Sequence, residues 1–151
     1  MAMGGGRNSI YLATKGFQVE GVDNSQDAID SALKLASEKQ VDITPYLVDL
    51  EKDFFIKEEN YDVILCFNFL QRSLIPHIKK GLRHSGIIVY ESYIIDQAQF
   101  GRPTNPDYLL KHNELLDFFR DFRCLRYHEG IMGREKAVAG IITQKGGIDN
   151  A

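Results

Sequence analysis

Residues 61–67, Tyr61-Asp62-Val63-Ile64-Leu65-Cys66-Phe67, form a nearly continuous apolar run. A strand of this kind is covered on both faces, as in a parallel sheet with crossover helices above and below it. The rest of the chain alternates in the way such a sheet requires. Residues 8–15 read as a short helix stopped by Gly16, and residues 17–22 as a strand ending on Asp23. Asn24 and Ser25 offer capping side chains to a helix that carries Ala28, Ile29, Ala32, Leu33 and Ala36 on one face. Residues 42–48 are a further strand ending on Asp49, and residues 51–60 a charged loop. Ser73 caps a helix to about Leu82, with Pro76 in its first turn, and His84-Ser85-Gly86 turns into a strand at 87–90. Residues 93–111, with Gly101, Pro103 and Pro106, form one long irregular stretch of the kind that is functional or disordered in a compact domain. Asn113 caps a helix carrying Leu115, Leu116, Phe118 and Phe119, and residues 122–127 and 137–143 are two closing strands in antiparallel arrangement. The expectation is one α/β domain over residues 1–145, with a frayed tail at 146–151.

Bulk properties narrow the function. A chain of 151 residues can bury a core without disulfides or metals. A formal net charge of −3 and the lack of a basic block argue against a nucleic-acid surface; Lys79, Lys80 and Arg83 read as a solvated helix face. No stretch approaches a membrane span, and no apolar leader opens the chain. Cys66 and Cys124 each lie in an apolar run, so both are expected as buried free thiols, with no metal site. A cytoplasmic protein is the expectation.

In an open α/β sheet, ligands bind beyond the carboxyl ends of the strands. Four features fall on that edge: the Gly4-Gly5-Gly6 turn leading into a helix, Asp23, Asp49, and residues 68–72 after the apolar strand. Glycines let a ligand approach the backbone, and the helix start behind them offers unpaired N–H groups to an anion. Asp23, one helix and one strand beyond the turn, can accept both hydroxyls of a ribose. Asp49 can accept from the exocyclic amine of adenine. The strand that normally precedes such a turn is missing from the sequence. That gap must close by re-pairing, by a strand from another chain, or at the cost of stability, so a homodimer or an altered sheet centre is expected.

These motifs, in order, resemble those of class I S-adenosylmethionine-dependent methyltransferases. Gly4-x-Gly6, Val22-Asp23, Val48-Asp49-Leu50, residues 61–64, Cys66-Phe67-Asn68-Phe69-Leu70-Gln71-Arg72 and Gly86-Ile87-Ile88-Val89-Tyr90-Glu91 carry the likeness, which is closest to the small bacterial tellurite-resistance type. The resemblance implies a Rossmann-like, mostly parallel sheet of order 3-2-1-4-5-7-6 with an antiparallel seventh strand, the first central strand being absent from this chain. It implies S-adenosyl-L-methionine as cofactor. Ala2, Gly4, Gly5 and Gly6 would hold the methionine part, Asp23 and Asn24 the ribose, and Asp49 with Leu50 the adenine. Phe67 and Asn68 would lie beside the sulfonium. The acidic residue of the family pattern would stand just ahead of the chain's first residue, which suggests a truncated amino terminus.

Methyl transfer from a sulfonium needs in-line positioning and exclusion of water more than it needs a base. A small-molecule acceptor is expected, with a thiol or a reduced metalloid oxyanion requiring the least proton transfer. Arg72 could receive an anionic acceptor, Tyr93 could shape its pocket, and His128 is a candidate base. Two other readings remain open. A nicotinamide-dependent oxidoreductase would need glycine or alanine where Ser9 stands, and a non-catalytic α/β module would have lost cofactor binding.

Overall fold

The computed structural model describes residues 1–52 and 56–146. The chain divides into two compact units, Met1–Phe54 and Phe55–Ala151. The expected tail lies, apart from Gly146, outside the described residues.

In the first unit, α1 (Arg7–Thr14), β1 (Glu20–Asp23), α2 (Gln26–Glu38) and β2 (Thr44–Leu47) follow one another. β1 and β2 pair in parallel, Glu20 opposite Thr44 and Asp23 opposite Leu47. The strand expected from Phe17 starts only at Glu20, because the end of α1 uses the intervening backbone. The N–H groups of Lys15 and Phe17 both bond the Leu12 carbonyl, around Gly16 at φ 91°. Phe17 is left exposed. The Ser25 hydroxyl caps α2 by accepting from Ala28 N–H at 3.2 Å. Ile29, Ala32 and Ala36 form its buried stripe, while Leu33, expected on that face, is 44% exposed. The stripe is narrower than the sequence pattern suggests, since Leu33 stands next to Ala32 and is turned about 100° away. Ahead of α1, the Met3 N–H bonds the Val22 carbonyl at 2.9 Å, and its thioether lies over Gly21, where an added Cβ would stand 2.1 Å from the sulfur. Met3 thus takes a position alongside β1.

In the second unit, β3 (Tyr61–Phe67), β4 (Leu82–Tyr93), β6 (Lys136–Gln144) and β5 (Arg123–Met132) form one sheet in that spatial order. β3 and β4 are parallel; β6 runs antiparallel to both β4 and β5. β3 has the bounds read from the apolar run. The two sheets, ordered 2-1 and 3-4-6-5, reproduce the segments 3-2 and 4-5-7-6 of the order that the resemblance implies. The β3–β4 ladder passes from Tyr61–Leu82 directly to Val63–Ile87, so residues 83–86 bulge out, with Ser85 at φ 64°. Arg83 therefore lies in this bulge, paired with Asp62, and not on a helix face.

α3 (Ile75–Gly81) is preceded by a 3-10 turn at Arg72–Leu74, and its capping position falls to Leu74 instead of Ser73. The Ser73 hydroxyl is engaged by the Gln71 side chain. α4 (Glu114–Phe118) is short, and Asn113 precedes it at φ 64° without a side-chain cap. The long stretch between β4 and α4 is ordered by 3-10 turns at Ile95–Gln99 and Pro106–Tyr108 and closed by an Ile94–Leu110 bridge. The core packs Cys66, Ile78, Leu82, Ile88, Tyr90, Leu110, Leu115, Phe119 and Val138, all nearly inaccessible. The aliphatic and Phe side chains among them each contribute roughly 1.5–3 kcal/mol by burial. Cys124, expected inside, is exposed, because β5 is an edge strand with its first residues open to solvent. Both cysteines are free.

Candidate functional site

In the first unit, the glycine turn and the carboxyl ends of β1 and β2 meet around one carboxylate. Asp23 Oδ2 accepts from the Gly4 N–H at 2.8 Å, and its Oδ1 from the Ser25 N–H at 3.0 Å. Its backbone carbonyl accepts from Val48 N–H at 2.9 Å, which ties the end of β1 to the end of β2. A carboxylate has about four acceptor positions, so Asp23 keeps two of them for hydroxyl donors. Asn24, next to it, is exposed. Asp49 accepts from its own turn at Glu51 N–H, 3.0 Å, and faces Lys52 at 3.7 Å, while Leu50 is buried.

The turn itself is open where a ligand would need it to be. A Cβ built on Gly4 or Gly5 meets nothing within 4 Å. Ala2, Gly4 and Gly6 have φ of 48°, 53° and 79°, so the backbone coils through a left-handed path. Gly6 is closed by contrast: a Cβ there would lie 2.7 Å from that of Ala32, which seats α1 on α2. The first N–H groups of α1 point along the helix axis without intrahelical acceptors, a favourable place for a carboxylate.

In the second unit, the edge after β3 is held rigidly. Asn68 sits at φ 54°, and its N–H bonds the Glu91 carbonyl at 2.9 Å. Phe67 is half-buried and stands opposite Glu91 in the ladder. Beneath the turn, the Cys66 thiol and the Tyr90 hydroxyl both donate to the Phe69 carbonyl, at 3.7 and 2.7 Å. Burial pushes both groups up, Tyr90 strongly, so each remains protonated and serves to pin the turn.

The three candidates for acceptor chemistry are placed differently. Arg72 forms a two-pronged ion pair with Glu114 and donates to the Asp107 and Leu109 carbonyls. Tyr93 is half-buried at the end of β4, its carbonyl accepting from Leu110 N–H. His128 Nε2 lies 3.2 Å from Glu91 Oε2, and Lys136 Nζ lies 3.1 Å from Glu91 Oε1. Glu91 carries part of the family likeness in the sequence, yet neither it nor Lys136 is given a role there. Glu91 stands 37 residues from His128 and Lys136 lies across the β5–β6 hairpin, and the register of β4, β5 and β6 brings the three together. Among the described residues, no group of His, Cys, Asp and Glu could hold a metal ion. No helix among them is long and apolar enough to cross a membrane.

Comparisons with known proteins bear on the family and the fold. A probable S-adenosyl-L-methionine-dependent methyltransferase TehB of Haemophilus influenzae is 26% identical over 137 residues, 87% of this chain and 47% of that protein. The chain spans about half the length of the curated relatives it matches. The crystal structure of TehB from Haemophilus influenzae superposes with a TM-score of 0.81 at 22% identity, over 95% of this chain and 55% of that one. The magnesium protoporphyrin IX methyltransferase of Synechocystis PCC 6803, solved with bound SAM, gives 0.69 at 17% identity over 95% and 67%. These superpositions establish the Rossmann-like methyltransferase fold. The family profile described as Tellurite resistance protein TehB matches residues 1–139, and the chain belongs to that family.

Proposed function

We propose that this chain holds S-adenosyl-L-methionine along the carboxyl ends of its strands and passes the methyl group to a small-molecule acceptor. The observation that carries this reading is the Asp23 carboxylate, fixed by the Gly4 and Ser25 N–H groups beside a turn whose Gly4 and Gly5 positions are open. The residues fit the group. Asp23 has acceptor positions left for ribose hydroxyls, Asp49 has one for the adenine amine, and the start of α1 with the turn backbone suits the amino-acid carboxylate. Ala2 and Gly6 shape the turn, Asn24 flanks the ribose position and Leu50 the adenine, and the family likeness assigns Phe67 and Asn68, in the second unit, to the transfer edge. When bound, the cofactor supplies a methyl group activated by a neutral thioether leaving group. What the protein contributes is orientation and exclusion of water, and the pinned turn at Asn68 serves the first.

A thiol or a reduced metalloid oxyanion is the acceptor class we favour, since either is soft and needs little proton transfer. Two free cysteines, one exposed, fit a reducing compartment, so we place the protein in the cytoplasm. The edge strands β2 and β5 expose Tyr46, Leu47, Leu125, Ile131 and Met132, surface suited to a second copy of the chain. Sedimentation equilibrium checks that pairing.

Calorimetric titration with S-adenosylhomocysteine tests the cofactor assignment. Binding that weakens at least about tenfold in Asp23→Asn is expected, the equivalent of roughly one charged hydrogen bond. No heat at millimolar ligand would remove the reading, and NADH binding in its place would favour the oxidoreductase.

A further inference from the structure

The Glu91–His128–Lys136 cluster is built more carefully than a surface ion pair requires. Glu91 sits at the carboxyl end of β4, and its backbone carbonyl holds Asn68, so its carboxyl group belongs to the edge where β3 ends. The His128 ring comes from β5 and brings its Cε1 close to Gly140 of β6, directly opposite it in the ladder. A Cβ at Gly140 would stand 2.3 Å from His128 Cε1 and 2.8 Å from Nε2, so the ring plane is set by the absence of a side chain there. Nε2 faces one oxygen of Glu91, and Lys136 takes the other. Glu91 is thereby anchored from two sides, and the imidazole is left with one nitrogen, Nδ1, that no group among the described residues engages. The ring is about one-third exposed, which leaves it accessible to a small molecule.

A neutral histidine with one N–H donated to a carboxylate presents a basic second nitrogen and a stabilised imidazolium. The charged neighbours of His128 on β5 are Arg126, two residues back along the strand, and Glu129, whose oxygen is occupied by the Tyr127 hydroxyl and the Asn113 N–H.

We propose that His128, oriented by Glu91, takes the proton from a methyl acceptor that enters protonated. The inference deepens the methyl-transfer reading and rests on it. For a thiol acceptor, the S–H proton passes to His128 Nδ1, and the freed sulfur pair forms the new S–CH3 bond. The old sulfonium–methyl bond breaks, its pair stays on the thioether, and the imidazolium returns its proton to solvent. His128 is the catalytic residue of this step; Glu91 is a positioning residue.

The 151-residue chain is tested with two acceptors, 2-mercaptoethanol, which is mostly protonated at neutral pH, and a nitro-substituted thiophenol, which is ionised. In His128→Gln the ratio of the two methylation rates should shift roughly a hundredfold against 2-mercaptoethanol, the usual scale of general-base assistance. A second readout needs no turnover: with S-adenosylhomocysteine bound, the His128 imidazole resonances, followed by NMR, should move as 2-mercaptoethanol is titrated in, and this response should weaken in Glu91→Gln. This titration carries the test if His128→Gln does not fold. An unchanged rate ratio or an unmoved imidazole overturns the proposal. S-adenosylhomocysteine binding without methylation of either thiol overturns it too, while leaving the cofactor assignment standing. Absence of that binding removes the cofactor assignment itself.

Discussion

Arg72 and Glu114 meet fork to fork, Nε to Oε1 at 2.6 Å and a terminal guanidinium nitrogen to Oε2 at 3.0 Å. The same guanidinium donates to the Asp107 carbonyl at 3.1 Å and the Leu109 carbonyl at 2.9 Å, and Glu114 also accepts from Lys111 N–H at 2.7 Å. One side chain from the 3-10 turn before α3 thus ties down the end of the long connection and the start of α4. Arg72 reads from the sequence as a receiver of anionic acceptors; in the structure its donors are committed to the fold.

Removing that fork should be costly. Arg72→Ala leaves a nearly buried carboxylate with one backbone donor and frees two carbonyls. We expect a loss of about 1–3 kcal/mol, less than the roughly 3–5 kcal/mol for breaking a fully buried pair because Arg72 itself is partly exposed and screened by solvent. Arg72→Lys should recover less than half, since a single ammonium cannot span both oxygens and both carbonyls. Urea unfolding of the two variants measures this.

The pair also sets a pH dependence. Burial pushes the Glu114 carboxyl up, but the Arg72 guanidinium and the Lys111 N–H outweigh it and hold the group below its ordinary value. A carboxylate depressed on folding contributes stability that is present above its unfolded pKa, about 4.3, and is lost as pH falls through the folded value. The stability difference between the unmodified chain and Glu114→Gln should therefore be constant near neutrality and shrink below about pH 4. Denaturant midpoints taken across that range check it, and a gap that widens in acid would contradict the assignment.

His112 behaves in the opposite sense. Its Nε2 faces Asp96, which raises the imidazole above its ordinary value through the hydrogen bond and the charge. A group raised on folding contributes stability that is full below its unfolded pKa, about 6.5, and is lost as pH rises through the folded value. The pair is solvent-exposed, so its effect is modest and should fade in salt. NMR titration should show His112 moving toward its ordinary value in Asp96→Asn, with the alkaline loss of thermal stability reduced alongside.

Periodicity and turn chemistry made most of the backbone legible. The apolar run at 61–67, the Ser25 cap and the glycine stop at Gly16 are local signals, and each marks an element where the structure has it. What eluded the sequence is non-local. Glu91, His128 and Lys136 converge through strand register, and Cys124 is exposed because β5 closes the sheet on one side, a position no single strand announces. The Ser73 expectation failed for a nearer reason, since Gln71 engages the hydroxyl and a 3-10 turn begins first. Likewise the irregular stretch at 93–111 has the composition of a mobile loop, yet Gln97 inside it is 5% exposed and bonded on both sides of its amide.

That amide yields a further prediction. Gln97 Oε1 accepts from the buried Ala137 N–H at 2.8 Å, and Nε2 donates to the Glu135 carbonyl at 3.3 Å. Gln97→Leu keeps much of the volume but strands the Ala137 N–H, at a cost of about 1–3 kcal/mol. Hydrogen exchange should show local opening at the start of β6 before global unfolding.

The glycine turn separates folding from ligand binding within two adjacent residues. Gly6 adopts φ 79°, and an added Cβ would press to 2.7 Å on Ala32 Cβ and 3.3 Å on its Cα. The first effect alone costs about 1–2 kcal/mol, and the contact adds to it because the α1–α2 packing must part. Gly6→Ala should therefore lower the melting temperature. Gly5 has no left-handed φ and nothing within 4 Å of its would-be Cβ, so Gly5→Ala should change stability by less than about 0.5 kcal/mol. The space that makes Gly5→Ala harmless to the fold is the space a ligand would use. Gly5→Ala, and Gly5→Val more strongly, should weaken S-adenosylhomocysteine binding in calorimetry while leaving thermal unfolding unchanged. Unaltered affinity in Gly5→Val would place the ligand away from this turn.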